Sequence, residues 1–440
     1  MALYDVNGDI LNIKNSVQTS DVLVASSETS DDIKESADYV CTGTNDETVI
    51  QQAINFIASK GGGKVRLSNG TFYIGSFSQS DTGGYSALIL PQTSGYNYNI
   101  EILGASLQFG WTKSSTYSEG TKIEITESCY ESLSSGTAYT IIRSGYVASL
   151  MNTPSHVSMI LRDMLFLIPS NQKKITCIDN LYTNRVLIER VQFRAYKPNY
   201  DGYTSGTPQV ATEGCIAMRS MGGSNSGCLA DYRNMSAFGF YEGFKLGSEH
   251  IIGLNLSAIY CVYGYTFGNY HWANVMAHPI TLINCCDERN VNLPLFVDNG
   301  FAQSNGYTNA SSTTGHQAIT MIDFNIERGD TSATPGGVIG DLATESTPGK
   351  FRGSIEYTMT YGSGSGYNSN NTTQYFWASG SGEGFVSRNQ AQTLGGTSAT
   401  RRTYAPNYLQ QYYDTTAGKM LWCVDPANKT WKDADGNTVS

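Results

Sequence analysis

Residues 234–247 read NMSAFGFYEGFKLG, and residues 255–268 read NLSAIYCVYGYTFG, 21 positions further on with no gap. Asn234 matches Asn255, Ser236 matches Ser257, Ala237 matches Ala258, Gly243 matches Gly264 and Gly247 matches Gly268. The turns that follow, GSEH and GNYH, put His250 in register with His271. A third, shortened copy is expected to begin at Asn274. The unit holds two short apolar runs, has no helical period and is too short for a propeller blade. One unit cannot bury its own apolar face, so units must stack. A parallel β-helix satisfies this, each coil laying short strands about 4.8 Å from the last.

Within GFKLG and GYTFG the apolar residues alternate, as a strand with one buried face requires. Inward side chains of successive coils then form columns, with Phe244 over Tyr265 and Leu246 over Phe267. Asn234, Asn255 and Asn274 are expected to form an asparagine ladder at a corner, each amide bonded to the next coil.

The composition agrees. Of 440 residues, 46 are Gly and 29 are Tyr, and only 15% are charged, which suits turn-rich β-structure and not a helical bundle. A net charge of −10 argues against a nucleic-acid partner, which calls for a basic stripe. No apolar run of about 18 residues is present, so no membrane insertion is expected. The opening MALYDVNGDILNIKN lacks a basic segment followed by an apolar one, so synthesis in a cytoplasm without a secretory signal is expected. The 9 cysteines are irregularly spaced without a CxxC pair, and read mostly as reduced core residues, not a disulfide frame or zinc site.

Near the start, Thr44 and Glu47 have the spacing of a capping box. Val49, Ile50, Ala53, Ile54 and Ile57 recur at helical spacing, predicting a helix over 46–59 that Gly61, Gly62 and Gly63 end. Two alternating strands follow, KVRLS and TFYIG, joined by the turn dipeptide Asn69-Gly70. A helix on the open end of a solenoid would cover its unpaired edge. The run DETVIQQAINFIASKGGGKVRLSNGTFYI resembles the opening signature of the pectate-lyase-like β-helix superfamily: a helix with a Gln-x-Ala-Ile core, a glycine turn, and a strand ending in N-G-T-F-Y-I. The resemblance implies an all-β fold, a right-handed single-stranded parallel β-helix with an N-terminal capping helix. It implies little about chemistry, because such folds include lyases, hydrolases, epimerases and inactive binders.

Further runs read as strands, among them IEILGAS, YTIIRSG, ITCIDNL and NRVLIERVQFRAY. The last segment resembles one found at the ends of bacteriophage and prophage tail-fibre and tailspike-like proteins. The matching residues are Asp414, Thr415, Thr416, Gly418, Lys419, Trp422, Trp431, Asp433, Ala434 and Gly436, with Cys423 where a second aromatic is usual. The expected organisation is an arm over 1–40, a β-helix over 41–330, an irregular β-rich region over 331–407 and a small C-terminal β appendage over 408–440. The tailspike resemblance implies a phage or prophage origin, a homotrimer, and a place in a virion tail or outside the cell after release.

Polysaccharide cleavage needs an acid and a base or nucleophile, commonly two carboxylates. Glu213 and Glu242 each precede a strand, and would share one face if those strands lie in successive coils. EGCIAM resembles the polygalacturonase string DDCIAI, with one Glu replacing two Asp and the family's other strings absent. The plainer reading is two solvated glutamates at strand starts. His250 and His271 could bind substrate or move a proton, or be only a stacked turn ladder; no third ligand argues for a metal. Asp287, Glu288 and Arg289 are expected in a turn, where they could serve calcium-assisted uronate elimination or form a surface ion pair. Calcium is thus the one cofactor considered, and no other is expected. Tyr241, Tyr263 and Tyr270 sit at or near turns and are candidate sugar contacts, whereas Tyr265 alternates inward as core. Three functions stand: a polysaccharide hydrolase or lyase using Glu213 and Glu242, a glycan-binding tail or adhesion protein that does not cut, and a spacer without a ligand.

Overall fold

The computed structural model describes residues 20–79, 85–91, 98–106, 120–144, 157–180, 183, 185–195, 211–220, 229–247, 250–267, 279–288, 295–297, 316–328, 339–341, 350–361, 385–387, 394–396, 399, 411–425 and 427–439. Nearly all its strands pair in parallel across coils of the chain. One long sheet runs through Ser20–Ala25, Gly63–Leu67, Tyr98–Leu103, Val157–Ile168, Arg185–Ala195, Leu229–Phe238, Ile251–Ile259, Pro279–Ile283, His316–Arg328 and Lys350–Tyr361. A second sheet stacks Tyr85–Leu90, Tyr139–Ser144, Ile175–Asn180, Ile216–Ser220, Glu242–Leu246, Tyr263–Phe267, Leu295–Val297 and Ile339–Asp341. The chain passes alternately from one sheet to the other, which makes it a parallel β-helix. Its crossovers are assigned the right-handed sense that such connections take almost without exception. A separate five-stranded sheet closes the chain.

The repeat predicts the register of two coils. Ala230 pairs with Ile251 and Glu242 with Tyr263, each 21 residues on. Phe244 stacks on Tyr265, ring centroids 5.4 Å apart, and Leu246 on Phe267. The next step is longer: Ile251 pairs with Ile280, 29 residues on. The register that aligns His250 with His271 therefore does not continue, and the third ladder residue is Asn284 and not Asn274. Asn274 and His271 lie outside the described residues.

Six successive coils of the long sheet turn a corner on one residue in the left-handed region. Asp163, Arg190, Asn234, Asn255, Asn284 and Asp323 occupy this corner in successive coils, with φ from 51° to 61°. Asn and Asp enter this region more readily than most residues. Asn255 Nδ2 donates to Asn234 Oδ1 at 2.7 Å, and Asn284 Nδ2 donates to Asn255 Oδ1 at 2.8 Å. Arg190 stays in the column by donating from its guanidinium to Asp163 Oδ2 at 2.8 Å.

The core trades volume between its walls. On the long sheet the inward column runs Phe166, Phe193, Ala237, Ala258. On the second sheet it runs Ile142, Ile178, Met218, Phe244, Tyr265. Rings leave one wall where they enter the other, which keeps the interior filled. Gly243 marks a close approach between the walls: a Cβ there would lie 2.7 Å from the Gly264 carbonyl oxygen and 3.2 Å from the Ala258 Cβ.

The helix Asp46–Ser59 covers the first coils with Ile50, Ala53, Ile54 and Ile57. No capping box forms. Asn45 is the N-cap in a left-handed conformation, and Glu47 reaches a strand edge instead. The unpaired edge of Gly70–Ile74 is closed by three carboxylates: Thr71 N donates to Glu28 at 2.9 Å, Tyr73 N to Asp46 at 2.9 Å and Gly75 N to Glu47 at 3.0 Å. Gln51 closes the edge of Tyr85–Leu90, accepting from Ile89 N at 2.7 Å and donating to Ile89 O at 2.9 Å. Asn69-Gly70 turns the chain within one coil, since its flanking strands pair with the next coil and not with each other.

Two expected boundaries move. Ser20–Ala25 pairs in register with Gly63–Leu67, so 20–40 belong to the solenoid and not to an arm. At the other end, Ile339–Asp341 and Lys350–Tyr361 continue the two sheets, so the β-helix runs past 330. The described cysteines are free thiols, all buried except the half-buried Cys286. No helix among the described residues is long and apolar enough to cross a membrane.

Asn255→Gly keeps the backbone conformation but removes both amide bonds. It is expected to lower stability by about 1–3 kcal/mol in urea denaturation, with Asn255→Ala lower by about 1 kcal/mol more. Burial acts to raise the Glu28 carboxyl, but the bonds from Tyr73 and Thr71 outweigh it and hold it below its ordinary 4.5. Its contribution is therefore present above pH 4.5 and lost as pH falls through the lowered value. Exchange at the Thr71 amide is expected to gain acid sensitivity in that window, and Glu28→Gln to remove it.

Candidate functional site

The second sheet has an outward face built from a four-residue rhythm. Thr140-Ile141-Ile142-Arg143, Thr176-Cys177-Ile178-Asp179, Ile216-Ala217-Met218-Arg219, Glu242-Gly243-Phe244-Lys245 and Tyr263-Gly264-Tyr265-Thr266 lie one above another. In the first four, the two middle residues face the core, and so does Tyr265 in the last. The outer two face away from it, as their side-chain bonds to one another require. Arg143 donates to Thr140 Oγ1 at 2.8 Å, and Lys245 Nζ donates to Glu242 Oε1 at 3.0 Å. The Thr266 hydroxyl donates to Glu242 Oε2 at 2.5 Å.

This face is charged yet buried. Asp179 is fully buried between Arg143, 3.5 Å away, and Arg219, whose Nε donates to Asp179 Oδ1 at 2.9 Å. Lys245 and Glu242 are 6% and 5% exposed. Buried charges persist only when paired and hydrogen-bonded, and each of these has both.

Glu213 stands at the edge of this face. Cys215 N donates to Thr212 O at 2.9 Å, and Gly214 has φ 92°, which defines a type II turn with Glu213 at its exposed tip. Glycine takes that third position without strain. Asn171, fully buried, stitches the turns together: its carbonyl accepts from Thr212 N at 2.9 Å and its Nδ2 donates to Gly239 O at 2.8 Å.

The strands after Glu213 and beginning at Glu242 do lie in successive coils, as the sequence suggests. Their carboxylates are not level, since Glu242 stacks on Ile216, three residues beyond Glu213. Between them stands Tyr241, half-buried and packed edge-on against Tyr263, ring centroids 5.5 Å apart. Burial pushes the Tyr241 phenol up, and Tyr263, Glu213 and Glu242 push it further. Both carboxylates are therefore within electrostatic reach of one phenol.

Other candidates are elsewhere. His250 is exposed at the far end of Glu242–Leu246, where the next long-sheet strand begins. Asp287 and Glu288 lie in the strand Cys286–Glu288 and not in a turn. Asp287 stacks on Ala258 and is 2% exposed, so it belongs to the long-sheet wall. Tyr270, His271 and Arg289 lie outside the described residues. Among the described residues no group of three or more His, Cys, Asp or Glu side chains is placed to hold a metal ion. Sequence reasoning missed Asp179, Arg219, Lys245, Thr266 and Asn171. For the first four the four-residue rhythm is the signal, because two adjacent inward residues break strand alternation; Asn171, in a bend between strands, has none.

No family model matches the chain, and no curated protein matches it. Among solved structures it is similar to the mannuronan C-5 epimerase AlgE4 A-module of Azotobacter vinelandii, at 13% identity over 78% of this chain and 96% of that one, TM-score 0.32. It is also similar to tailspike protein 3 of bacteriophage CBA120, at 12% identity over 89% of this chain and 67% of that one, TM-score 0.29. Both likenesses are loose, and the fold rests on the chain's own strand pairing.

Lys245→Met leaves Glu242 a buried charge without its cation. It is expected to lower stability by about 3–5 kcal/mol, and the double variant Glu242→Gln, Lys245→Met to recover part of that loss. Chemical denaturation of the three proteins checks this. Equal losses in the single and double variants would show that the pair does not couple.

Proposed function

We propose that this protein acts on a polysaccharide through the Glu213–Tyr241–Tyr263–Glu242 face, as a hydrolase or lyase of phage or prophage origin. The observation that carries the reading is the placement of two carboxylates around an aromatic pair at one edge of a rigid sheet. Glu242 is held in place by bonds from Lys245 and Thr266 and takes the role of base or nucleophile in this reading. Glu213 sits on an exposed turn tip, where a leaving-group oxygen could reach it. Tyr241 and Tyr263 present ring area for a sugar. The C-terminal resemblance to phage tail proteins supports the viral origin, and with it a homotrimer carried on a virion tail. Calcium has no role in this reading.

One observation favours the second reading, a glycan-binding tail protein that does not cut. Both oxygens of Glu242 are already engaged by Lys245 and Thr266, and the side chain is buried.

The test is product release from a panel of bacterial and plant polysaccharides, read as new reducing ends for a hydrolase and as unsaturated-uronate absorbance for a lyase. Glu213→Gln is expected to lower the rate at least about 100-fold, the typical share of a general acid. An unchanged rate removes Glu213 from the chemistry. Retained glycan binding with no product from any polysaccharide establishes the non-cutting reading.

A further inference from the structure

The C-terminal sheet has two apolar faces, one fully buried and one partly exposed. Its strands Gln411–Asp414, Lys419–Asp425, Thr430–Lys432 and Thr438–Val439 form an antiparallel set. Tyr412, Leu421, Cys423 and Trp431 make its core, with Val439 packed against them. Strand alternation turns Tyr413, Met420, Trp422 and Lys432 to the opposite face. Tyr413 pairs directly with Met420, and Trp422 with Lys432. Tyr413 and Trp422 are diagonal neighbours across two strands, roughly 7–8 Å apart at the backbone. Tyr413 is 44% exposed, and Met420, Trp422 and Lys432 are half-buried.

An antiparallel sheet with one core face ordinarily turns polar residues outward. Here two aromatic rings and a thioether take those places. The patch is made by four side chains in two cross-strand pairs, where a stable protein interface draws about 20–30 residues a side. That size fits a ligand of one or two rings. Flat apolar faces with hydroxyl, indole N–H and ammonium groups at their rim match a pyranose, whose C–H face is apolar and whose edge is hydroxylated.

We propose that Tyr413 and Trp422, with Lys432 at the rim, form a sugar-binding platform separate from the β-helix face. The choice of a sugar over other flat amphipathic rings rests on the proposed glycan-directed function. The platform would hold the polymer while the β-helix face engages another stretch of it, so that the two sites gain from effective concentration.

The test is affinity electrophoresis of the full-length chain in gels containing alginate, polygalacturonate, hyaluronan, xylan or dextran. Wild type is expected to be retarded by at least one of them. Tyr413→Ala is expected to weaken that retardation roughly tenfold, while Tyr413→Phe, which keeps the ring, retains it. Should Tyr413→Ala lower the melting temperature, Met420→Lys at the directly opposed position carries the same expectation. Retardation that survives Tyr413→Ala but is lost in Tyr241→Ala overturns the platform and leaves the β-helix reading standing. Retardation lost in Tyr413→Ala and kept in Tyr241→Ala establishes the platform independently. No retardation of wild type by any of the five overturns both. A change of oligomeric state in Tyr413→Ala with unchanged retardation assigns the face to a second copy and also overturns the proposal.

Discussion

Every coil of this protein must turn at the same place as its neighbours, because a strand that bends out of step loses its hydrogen bonds on both sides. The column from Asp163 through Asn234, Asn255 and Asn284 to Asp323 meets that demand. In these coils one left-handed residue sets the corner, and side chains that can bond up and down the column tie it to the next. With the corner fixed, the inward columns follow. The shift of rings from Phe166 and Phe193 on one wall to Phe244 and Tyr265 on the other works only if the coils stay level.

The same alignment governs the polar side. Stacked strands bring like positions together at about 4.8 Å, so a charge repeated in every coil would repel itself. The outward column Arg143, Asp179, Arg219 alternates in sign instead, and Lys245 finds its counter-charge within its own strand at Glu242. The N-terminal edge follows a related rule. Backbone N–H groups that no further strand can meet are taken by Glu28, Asp46 and Glu47, so side chains stand in for the missing coil. The candidate site lies where these requirements leave freedom, at a turn tip beside the sheet.

Much of this is written in the chain where local pattern and tertiary register coincide. The 21-residue repeat gives the Phe244–Tyr265 and Asn234–Asn255 contacts outright. It fails one coil later, because the coil lengthens to 29 residues and its ladder residue, Asn284, no longer sits at the repeat distance. Ser20–Ala25 reads as part of an arm because residues 1–40 as a whole are polar and weakly patterned, yet Val22 and Val24 alternate inward as a strand requires. Thr44 and Glu47 have the spacing of a local cap, but Glu47 serves a distant strand edge, a competition that spacing alone does not resolve. Glu213 and Glu242 are legible as strand-start acids. Their environment is not: that Lys245 and Thr266 commit one of them, and that a type II turn exposes the other, depends on neighbours from other coils.

The claim on which the functional account turns is that the turn tip of Glu213 and the Tyr241–Tyr263 pair receive the glycan. Its most direct test is a crystal structure of the protein soaked with an oligosaccharide cut from whichever polysaccharide it retains. The account predicts a sugar ring against Tyr241 and Tyr263 with a glycosidic oxygen at the Glu213 carboxylate. Sugar bound on the β-helix only along the long sheet, beside His250 or Glu288, would contradict it.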